Sequence, residues 1–327
     1  MNGLAYIGKI TSLLPIPGAD FIELAEAVCG AGGKWLGVVR KGEQAINNLC
    51  EVYVQDAIVP NTDRFAFMAQ RHHRIKMVRF KGVPSEALIM PLTISGSVGD
   101  EVSELLGVVK YEKPFELTLA GEIAGSFPHF IPRTDEPNFQ GVPWLVEALR
   151  GQPCYVTQKV DGSSGTFYRK DGQFGVCSRN KEYKDTPTSV LWNLARQYKL
   201  DTKQPDNTAI QFELIGPKVQ GNPLKLAKPD IRVFNLWHID LQAYGDAQHV
   251  RSCCDALRIP MVDILQWDTP FLHDEDGLRM LAEGEYPNGR QQEGIVLRPM
   301  VEQTIVGPKG PERLSFKVIN LRYKEST

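Results

Sequence analysis

The sequence lacks most of the features that assign a chain quickly. Its six cysteines, Cys29, Cys50, Cys154, Cys177, Cys253 and Cys254, form no Cys-x-x-Cys pair, which argues against a structural zinc site. A 327-residue chain needs no disulfide staples, and the adjacent pair Cys253 and Cys254 is an awkward bridge, so reduced thiols are expected. Charge of one sign is not in excess: 37 Lys+Arg stand against 39 Asp+Glu, for a formal net charge of -2. That excludes a wholly basic nucleic-acid binder of histone type but not a local basic groove, because net charge hides patches. No stretch approaches the roughly 20 apolar residues of a membrane helix. The N-terminal segment MNGLAYIGKITSLLPIPGAD has neither a basic region nor a long apolar one. A soluble, intracellular protein, cytoplasmic or nuclear, with no membrane contact is therefore expected. Internal repeats and low-complexity tracts are absent as well.

What is present suits about two domains, given a prior of roughly 150 residues per domain. The first third is β-rich: LAYIGKI, WLGVVRK, CEVYVQDAIV, HRIKMVRFK and ALIMPL are short runs dense in Val, Ile, Tyr and Phe, separated by the turn signals PIPGAD, CGAGGK, PNTD and KGVPS. Their spacing predicts a small barrel. A short helix is expected at GDEVSELLG, capped by Asp100 and stopped by Gly107. A Pro/Gly-rich connector covers residues 112–143, and the domain boundary is placed near its start, giving domains 1–115 and 116–327. Beyond it, strands are predicted at CYVTQK, GTFYRK, FGVCSR, AIQFELIG, IRVFNLWHID, EGIVLRP and LSFKVI. Helices are predicted at TSVLWNLARQYKL, with Thr188 as cap, and at QHVRSCCDALR and EDGLRMLAEG.

The sharpest local feature is Lys159-Val160-Asp161-Gly162-Ser163 at a predicted strand end. A lysine can serve as a covalent nucleophile when its surroundings supply the neutral amine. A solvated hairpin turn reads the same way, and a Lys-x-Asp-Gly string arises by chance in about one chain in ten of this length. Alone, the motif is weak. Downstream, in order, come Ser178-Arg179-Asn180, Phe212-Glu213-Leu214-Ile215-Gly216 followed by Val219-Gln220-Gly221-Asn222, Val233-Phe234-Asn235-Leu236, Glu293-Gly294-Ile295-Val296, and Ser315-Phe316-Lys317-Val318.

At these residues the sequence resembles the covalent nucleotidyltransferases, a group of ATP-dependent RNA and DNA ligases and mRNA capping enzymes. The Phe-Glu-Leu-Ile-Gly and Val-Gln-Gly-Asn stretches resemble RNA ligases in particular. PIPGADFIELAEAV, VRKGE, DAIVP and RIKMVRFKGVPSEALIMPL resemble the OB-fold module that one RNA ligase branch carries ahead of its transferase domain. The fold implied is α+β: an N-terminal OB-like β-barrel, then a mixed α/β nucleotidyltransferase domain (ATP-grasp-like ligase) built on antiparallel sheets. Two positions depart from the family pattern. The last motif supplies one lysine, Lys317, where many relatives have Lys-x-Lys, leaving open whether Lys309 substitutes. Asn138 stands where the segment Arg133–Gln140 would be expected to carry an arginine.

The resemblance implies a monomeric enzyme that joins RNA 3′-OH and 5′-phosphate ends at nicks in a duplex, with an RNA or DNA template strand, through lysyl-AMP and adenylylated RNA. Lys159 is then the nucleophile and Lys317 the α-phosphate contact. Gln158, Asp161, Gly162, Arg179, Glu213, Phe234, Glu293 and Val296 hold the nucleotide. Asp161, Glu213 and Glu293 are hard oxygen donors suited to Mg²⁺ or Mn²⁺. Phe234 is the expected adenine platform, although both Phe234 and Val296 read equally as core. Gly162 would let the backbone approach the nucleotide. The run from Arg71 to Lys81 contains no acid. Its Arg74, Lys76, Arg79 and Lys81 are expected RNA contacts on a charged strand face, the alternative being a solubilising edge strand. Two other classes remain open: a capping-type or DNA-ligase-type nucleotidyltransferase using GTP or ATP, and a non-catalytic RNA-binding OB protein. Only ten residues, 318–327, follow Lys317, which leaves no room for the C-terminal OB domain of the first class. Intact Lys159, Glu213, Glu293 and Lys317 argue against the second.

Overall fold

The computed structural model describes residues 3–112, 121–308 and 310–323; Lys309 lies outside them. The chain divides into two units, Met1–Glu112 with Pro137–Trp144, and Lys113–Glu136 with Leu145–Thr327.

The first unit contains β1 (Ala5–Pro15), β2 (Ile22–Val28), β3 (Lys34–Arg40), β4 (Leu49–Tyr53), β5 (Ala57–Ile58), β6 (Val78–Phe80), β7 (Val83–Ser85), β8 (Leu88–Pro91) and β9 (Val109–Lys110). Five of them form an antiparallel sheet in the order β3-β2-β1-β4-β8. The sheet closes on itself where the Glu86 and Ala87 N–H groups both donate to the Leu36 carbonyl, at 2.8 and 3.0 Å. That connectivity is a five-stranded OB barrel. Alternation fills it: in β3, Trp35 and Val39 point inward and join Ile10, Ala25, Ala27, Cys50, Val52 and Ile89.

Three expectations change here. Residues 99–107 do not form a helix. Instead, Gly99 and Val102 donate backbone N–H groups to Ile7 and Ala5 of β1, and Ile7 donates to Asp100. The Asp100 carboxylate accepts from the Ser97 N–H at 2.7 Å rather than capping a helix. Pairing with a neighbouring strand overrides the local propensity. Second, residues 137–144 belong with the barrel, which is therefore not confined to 1–115: Gln140 Nε2 donates to Glu86 Oε1 at 2.5 Å. Gly33, at φ +86°, is required beside this segment, because a Cβ there would sit 1.5 Å from the Gln140 carbonyl oxygen.

Third, the basic run is not one charged strand. It starts at the end of a 3₁₀ segment (Asp63–Arg71), turns through His72 and His73 at positive φ, bridges Ile58 of β5 at Arg74, and pairs again only at β6. Arg74 is buried. Its guanidinium is 2.7 Å from Asp56 Oδ1 and lies 3.6 Å from the Tyr111 ring centroid. It holds the barrel together and is not displayed to a nucleic acid. Arg79 and Lys81 are exposed and Lys76 is half-buried; Arg79 Nη1 donates to the Gly82 carbonyl at 2.7 Å.

The second unit contains β10 (Ile123–Ser126), α1 (Pro143–Leu149, whose first two residues belong to the first unit), β11 (Pro153–Lys159), β12 (Ser163–Lys170), β13 (Gln173–Ser178) and β14 (Lys181–Tyr183). It continues with α2 (Val190–Gln197), α3 (Leu200–Lys203), β15 (Thr208–Ile215), β16 (Asp230–His238), β17 (Ala243–Tyr244), α4 (Ala247–Leu257), β18 (Ile264–Pro270) and α5 (Glu275–Ala282). The last elements are β19 (Gly294–Pro299), β20 (Thr304–Gly307), β21 (Gly310–Arg313) and β22 (Phe316–Ile319). Two antiparallel sheets result, β10-β14-β13-β12-β15-β16-β17 and β18-β11-β19-β22. Helix α2 begins one residue later than its predicted cap: the Ser189 hydroxyl, not Thr188, accepts the Trp192 N–H. Its Leu191, Leu194 and Ala195 recur at helical spacing and pack into the core of the larger sheet with Phe167, Phe212 and Ile231. Full burial of each such leucine stabilises by roughly 1.5–3 kcal/mol. Among the described residues, no helix is long and apolar enough to cross a membrane.

Candidate active site

Side chains alternate along a strand, and directly paired residues share a face. The pairs Thr157–Val296 and Val296–Lys317, with Lys159–Gly294 beside them, therefore put Lys159, Val296 and Lys317 on one face of β11-β19-β22. By the same rule Gln158 falls on the opposite face. It is buried there and its Nε2 donates to Gln292 Oε1 at 2.8 Å, so its side chain is not directed at the Lys159 side.

Lys159 closes β11, with its side chain 24% exposed. Its Nζ is 2.6 Å from Glu293 Oε2, on the residue just before β19. Asp161 is buried two residues on. Its Oδ2 accepts a short hydrogen bond from the Tyr323 hydroxyl, delivered by the turn after β22. Burial and the Asp161 charge push the Tyr323 phenol far above the ordinary tyrosine range, so it stays a donor. That turn is fixed in turn by fully buried Asn320, whose N–H donates to the Glu293 carbonyl at 3.0 Å and whose Nδ2 donates to the Gln292 carbonyl at 2.9 Å. One further hydroxyl, that of Tyr286, bonds the backbones of Lys159, Asp161 and Glu293.

Gly162 is also required by the fold itself. What approaches it is strand β15: a Cβ at Gly162 would lie 2.3 Å from the Leu214 carbonyl oxygen and 2.8 Å from Glu213 Cγ. The glycine thus lets the Lys159 strand end pass against Glu213, whose Oε2 accepts from Ser164 at 3.2 Å. Gly294, at φ +152°, does the same beside β22, where a Cβ would meet the Val318 carbonyl at 2.1 Å. Phe234 is half-buried against Val160, Ile215 and Val262, next to the Lys159 strand end, so core packing and partial exposure coexist. Val296 is buried in the sheet face between Lys159 and Lys317. Arg179, in the turn between β13 and β14, sits 3.5 Å from Asp135 Oδ2. Its Nε is buried without a hydrogen-bond partner among the described residues.

The three predicted metal carboxylates do not converge. Among the described residues, no group of three or more His, Cys, Asp or Glu side chains is arranged to hold a metal ion. Glu293 is engaged with Lys159, Asp161 with Tyr323 and Glu213 with Ser164. Sequence reasoning also missed a buried ionic group further along the same sheet face, where Arg298 follows Val296 by two residues. Glu136 is 2.7 Å from Arg298 Nη2 and 3.7 Å from Arg313 Nη1, and it accepts from the Ser315 hydroxyl. Arg313 also binds Glu302 and stacks 3.7 Å from the Tyr244 ring centroid. Although burial opposes its charged form, the Arg298 and Arg313 guanidiniums lower the Glu136 carboxyl to about 2. Only the segment Arg133–Gln140, which contains Glu136, carried a signal; Tyr286 and Tyr323 carried none beyond a Pro-Asn-Gly turn after Tyr286.

The RNA ligase family model matches residues 152–319, and an OB-fold domain model matches residues 4–92. No curated protein gives a significant match. Solved structures of Naegleria gruberi RNA ligase are similar over nearly the full chain. A variant with ATP and Mn is 31% identical, covers 97% of each chain and superposes with a TM-score of 0.83. The form with PPi is 31% identical, covers 98% of this chain and 97% of that one, with a TM-score of 0.82. Another variant, with AMP and Mn, is 31% identical over 97% of each chain at a TM-score of 0.83. A barrel ahead of two antiparallel sheets, a lysine at the end of a central strand and a second lysine two strands away on the same face thus coincide with a family match over half the chain and a near full-length relative: the chain belongs to the RNA ligase family.

Proposed function

We propose that the enzyme seals 3′-OH/5′-phosphate RNA ends at nicks in a duplex, using ATP and Mg²⁺ or Mn²⁺. The observation that carries the reading is the shared sheet face of Lys159, Val296 and Lys317, with Glu293 Oε2 2.6 Å from the Lys159 amine. The similar Naegleria gruberi ligase structures with ATP, AMP, Mn or PPi support it.

In the first step Lys159 Nζ loses a proton, for which Glu293 Oε2 is the adjacent acceptor, and attacks the ATP α-phosphorus. An N–P bond forms, the α–β P–O bond breaks and pyrophosphate leaves. An oxygen of the RNA 5′-phosphate then attacks the AMP phosphorus, breaking the N–P bond and returning a proton to Lys159. Finally the 3′-OH attacks the activated 5′-phosphorus, AMP leaves and a phosphodiester remains. Lys317 holds the α-phosphate oxygens, Phe234 and Val296 flank adenine, and Arg179, whose buried Nε has no hydrogen-bond partner among the described residues, takes a ribose or phosphate oxygen. Such phosphoryl transfer depends on positioning and charge neutralisation.

The donor set fits a hard divalent cation of the kind held by one or two carboxylates together with substrate phosphates and water, so no three-carboxylate cage is required. Its one or two carboxylate ligands would come from among Glu293, Glu213 and Asp161. When bound, it neutralises phosphate charge and favours the uncharged lysine. Incubation with α-labelled ATP and either metal should leave label on the denatured protein, and Lys159→Ala should abolish it. No label with either metal would overturn the reading; equal label with GTP would favour a capping-type activity. Exposed Arg79 and Lys81, with half-buried Lys76, remain the barrel residues proposed to touch RNA. Neutralising all three should weaken sealing more than lysine adenylylation, and equal loss of both would remove that role.

A further inference from the structure

We infer that Tyr286 is a positioning residue for lysine adenylylation, acting through its hydroxyl; the inference rests on the adenylylation reading above. Tyr286 is almost fully buried in the turn after α5, well outside the motifs that define the site. Its backbone is held by the turn that follows it: its N–H donates to the Arg290 carbonyl at 2.7 Å, and its own carbonyl accepts from the Gly289 N–H at 2.9 Å. The side chain therefore arrives from a closed turn rather than a loose loop.

A hydroxyl has one proton and two lone pairs. Tyr286 uses all three on backbone groups of the site. It accepts from the Asp161 N–H at 3.2 Å and from the Glu293 N–H at 3.2 Å, and it donates to the Lys159 carbonyl at 3.3 Å. The Lys159–Asp161 strand end and the start of β19 are thereby fixed to one oxygen. Between them these residues carry the nucleophile, its ion-pair partner and a proposed metal carboxylate. The regular β11–β19 ladder ends at the Lys159–Gly294 pair, so neither Asp161 nor Glu293 receives a ladder bond from the other strand. The hydroxyl bridges the two strands at the point where the sheet stops doing so. A displacement of about 1 Å in a reacting group can cost on the order of a hundredfold in rate, which makes such a tether consequential although it touches no substrate.

The test is single-turnover labelling of the full chain with α-labelled ATP, comparing wild type with Tyr286→Phe, which keeps the ring and deletes the hydroxyl. Misfolded molecules lower the amplitude of labelling and leave the rate constant of the folded fraction intact, so the two effects separate. The expected result is a rate constant at least tenfold lower at saturating ATP, with the half-saturating ATP concentration changed less than threefold. A rate constant within threefold of wild type would overturn the inference, as would a loss confined to a raised half-saturating ATP concentration. Absence of label on the wild-type protein would instead remove the adenylylation reading, and this inference with it.

Discussion

Two clusters of charge share strand β19 and its flanks, and they are built in opposite ways. Toward the start of the strand, Lys159 meets Glu293 in one ion pair and remains partly exposed. Toward its end, Arg298 is buried against Glu136, which also faces Arg313 and Ser315. The second cluster has little charge left to offer a ligand. The first keeps an accessible amine. Burial with several ionic partners marks a charged group as structural, and a single partner with residual exposure marks it as available for chemistry. Residue type alone does not separate the two.

The comparison can be broken most severely at its structural end. Arg298→Met leaves Glu136 without its principal partner, and loss of one member of a buried pair costs about 3–5 kcal/mol. Urea unfolding should show that loss, while adenylylation rate per folded molecule stays closer to wild type than in Lys159→Ala. In the barrel, Arg74→Ala removes the Asp56 pair and the stack on Tyr111, for an expected loss of about 1–3 kcal/mol. Retained stability with weakened RNA sealing would return Arg74 to the RNA-contact set. At the chemical end, Tyr323→Phe deletes the donor to Asp161. Single-turnover labelling should slow by about tenfold, as a lost charge-assisted hydrogen bond of roughly 1.5 kcal/mol would give, and an unchanged rate would show that Asp161 needs no such anchor.

Acid provides a gentler probe. The folded-state value of Glu136, lowered to about 2 from 4.5, means the unfolded chain binds its proton first as pH falls. Its contribution to stability is complete above about 4.5 and is lost as pH drops toward 2. Glu136→Gln should flatten that part of the stability–pH curve. The smallest effect is expected at Lys81→Ala, an exposed turn residue, where stability should move by no more than about 0.5 kcal/mol and only sealing should fall.

These contrasts also explain what could be read from the sequence. Lys159, Glu213, Glu293 and Lys317 stand in ordered motifs, and the strands that carry them are short apolar runs whose type needs no tertiary information. Arg74 looked like its neighbours because a basic run does not reveal which member is paired; Asp56 and Tyr111, from other segments, decide that. The resemblance groups Gln158 with the nucleotide contacts, but strand alternation turns it away from Lys159 onto Gln292, far along the chain. The helix expected around Asp100 lost to backbone pairing with β1. Residues 137–144 read as linker because nothing local indicates that Gln140 finds Glu86.

The Lys159–Gly294 and Val296–Lys317 pairs carry a further consequence. Two strand spacings of about 4.8 Å and a two-residue offset of about 6.8 Å put the two lysine Cα atoms roughly 12 Å apart. Backbone hydrogen bonds set that gauge, and a sheet does not stretch as a hinged loop does. The span is a fixed calliper whose jaws are two long, flexible side chains. Its setting depends on parity: inserting one residue into β19 or β22 would leave composition and motifs nearly untouched yet turn Lys317 to the far side of the sheet.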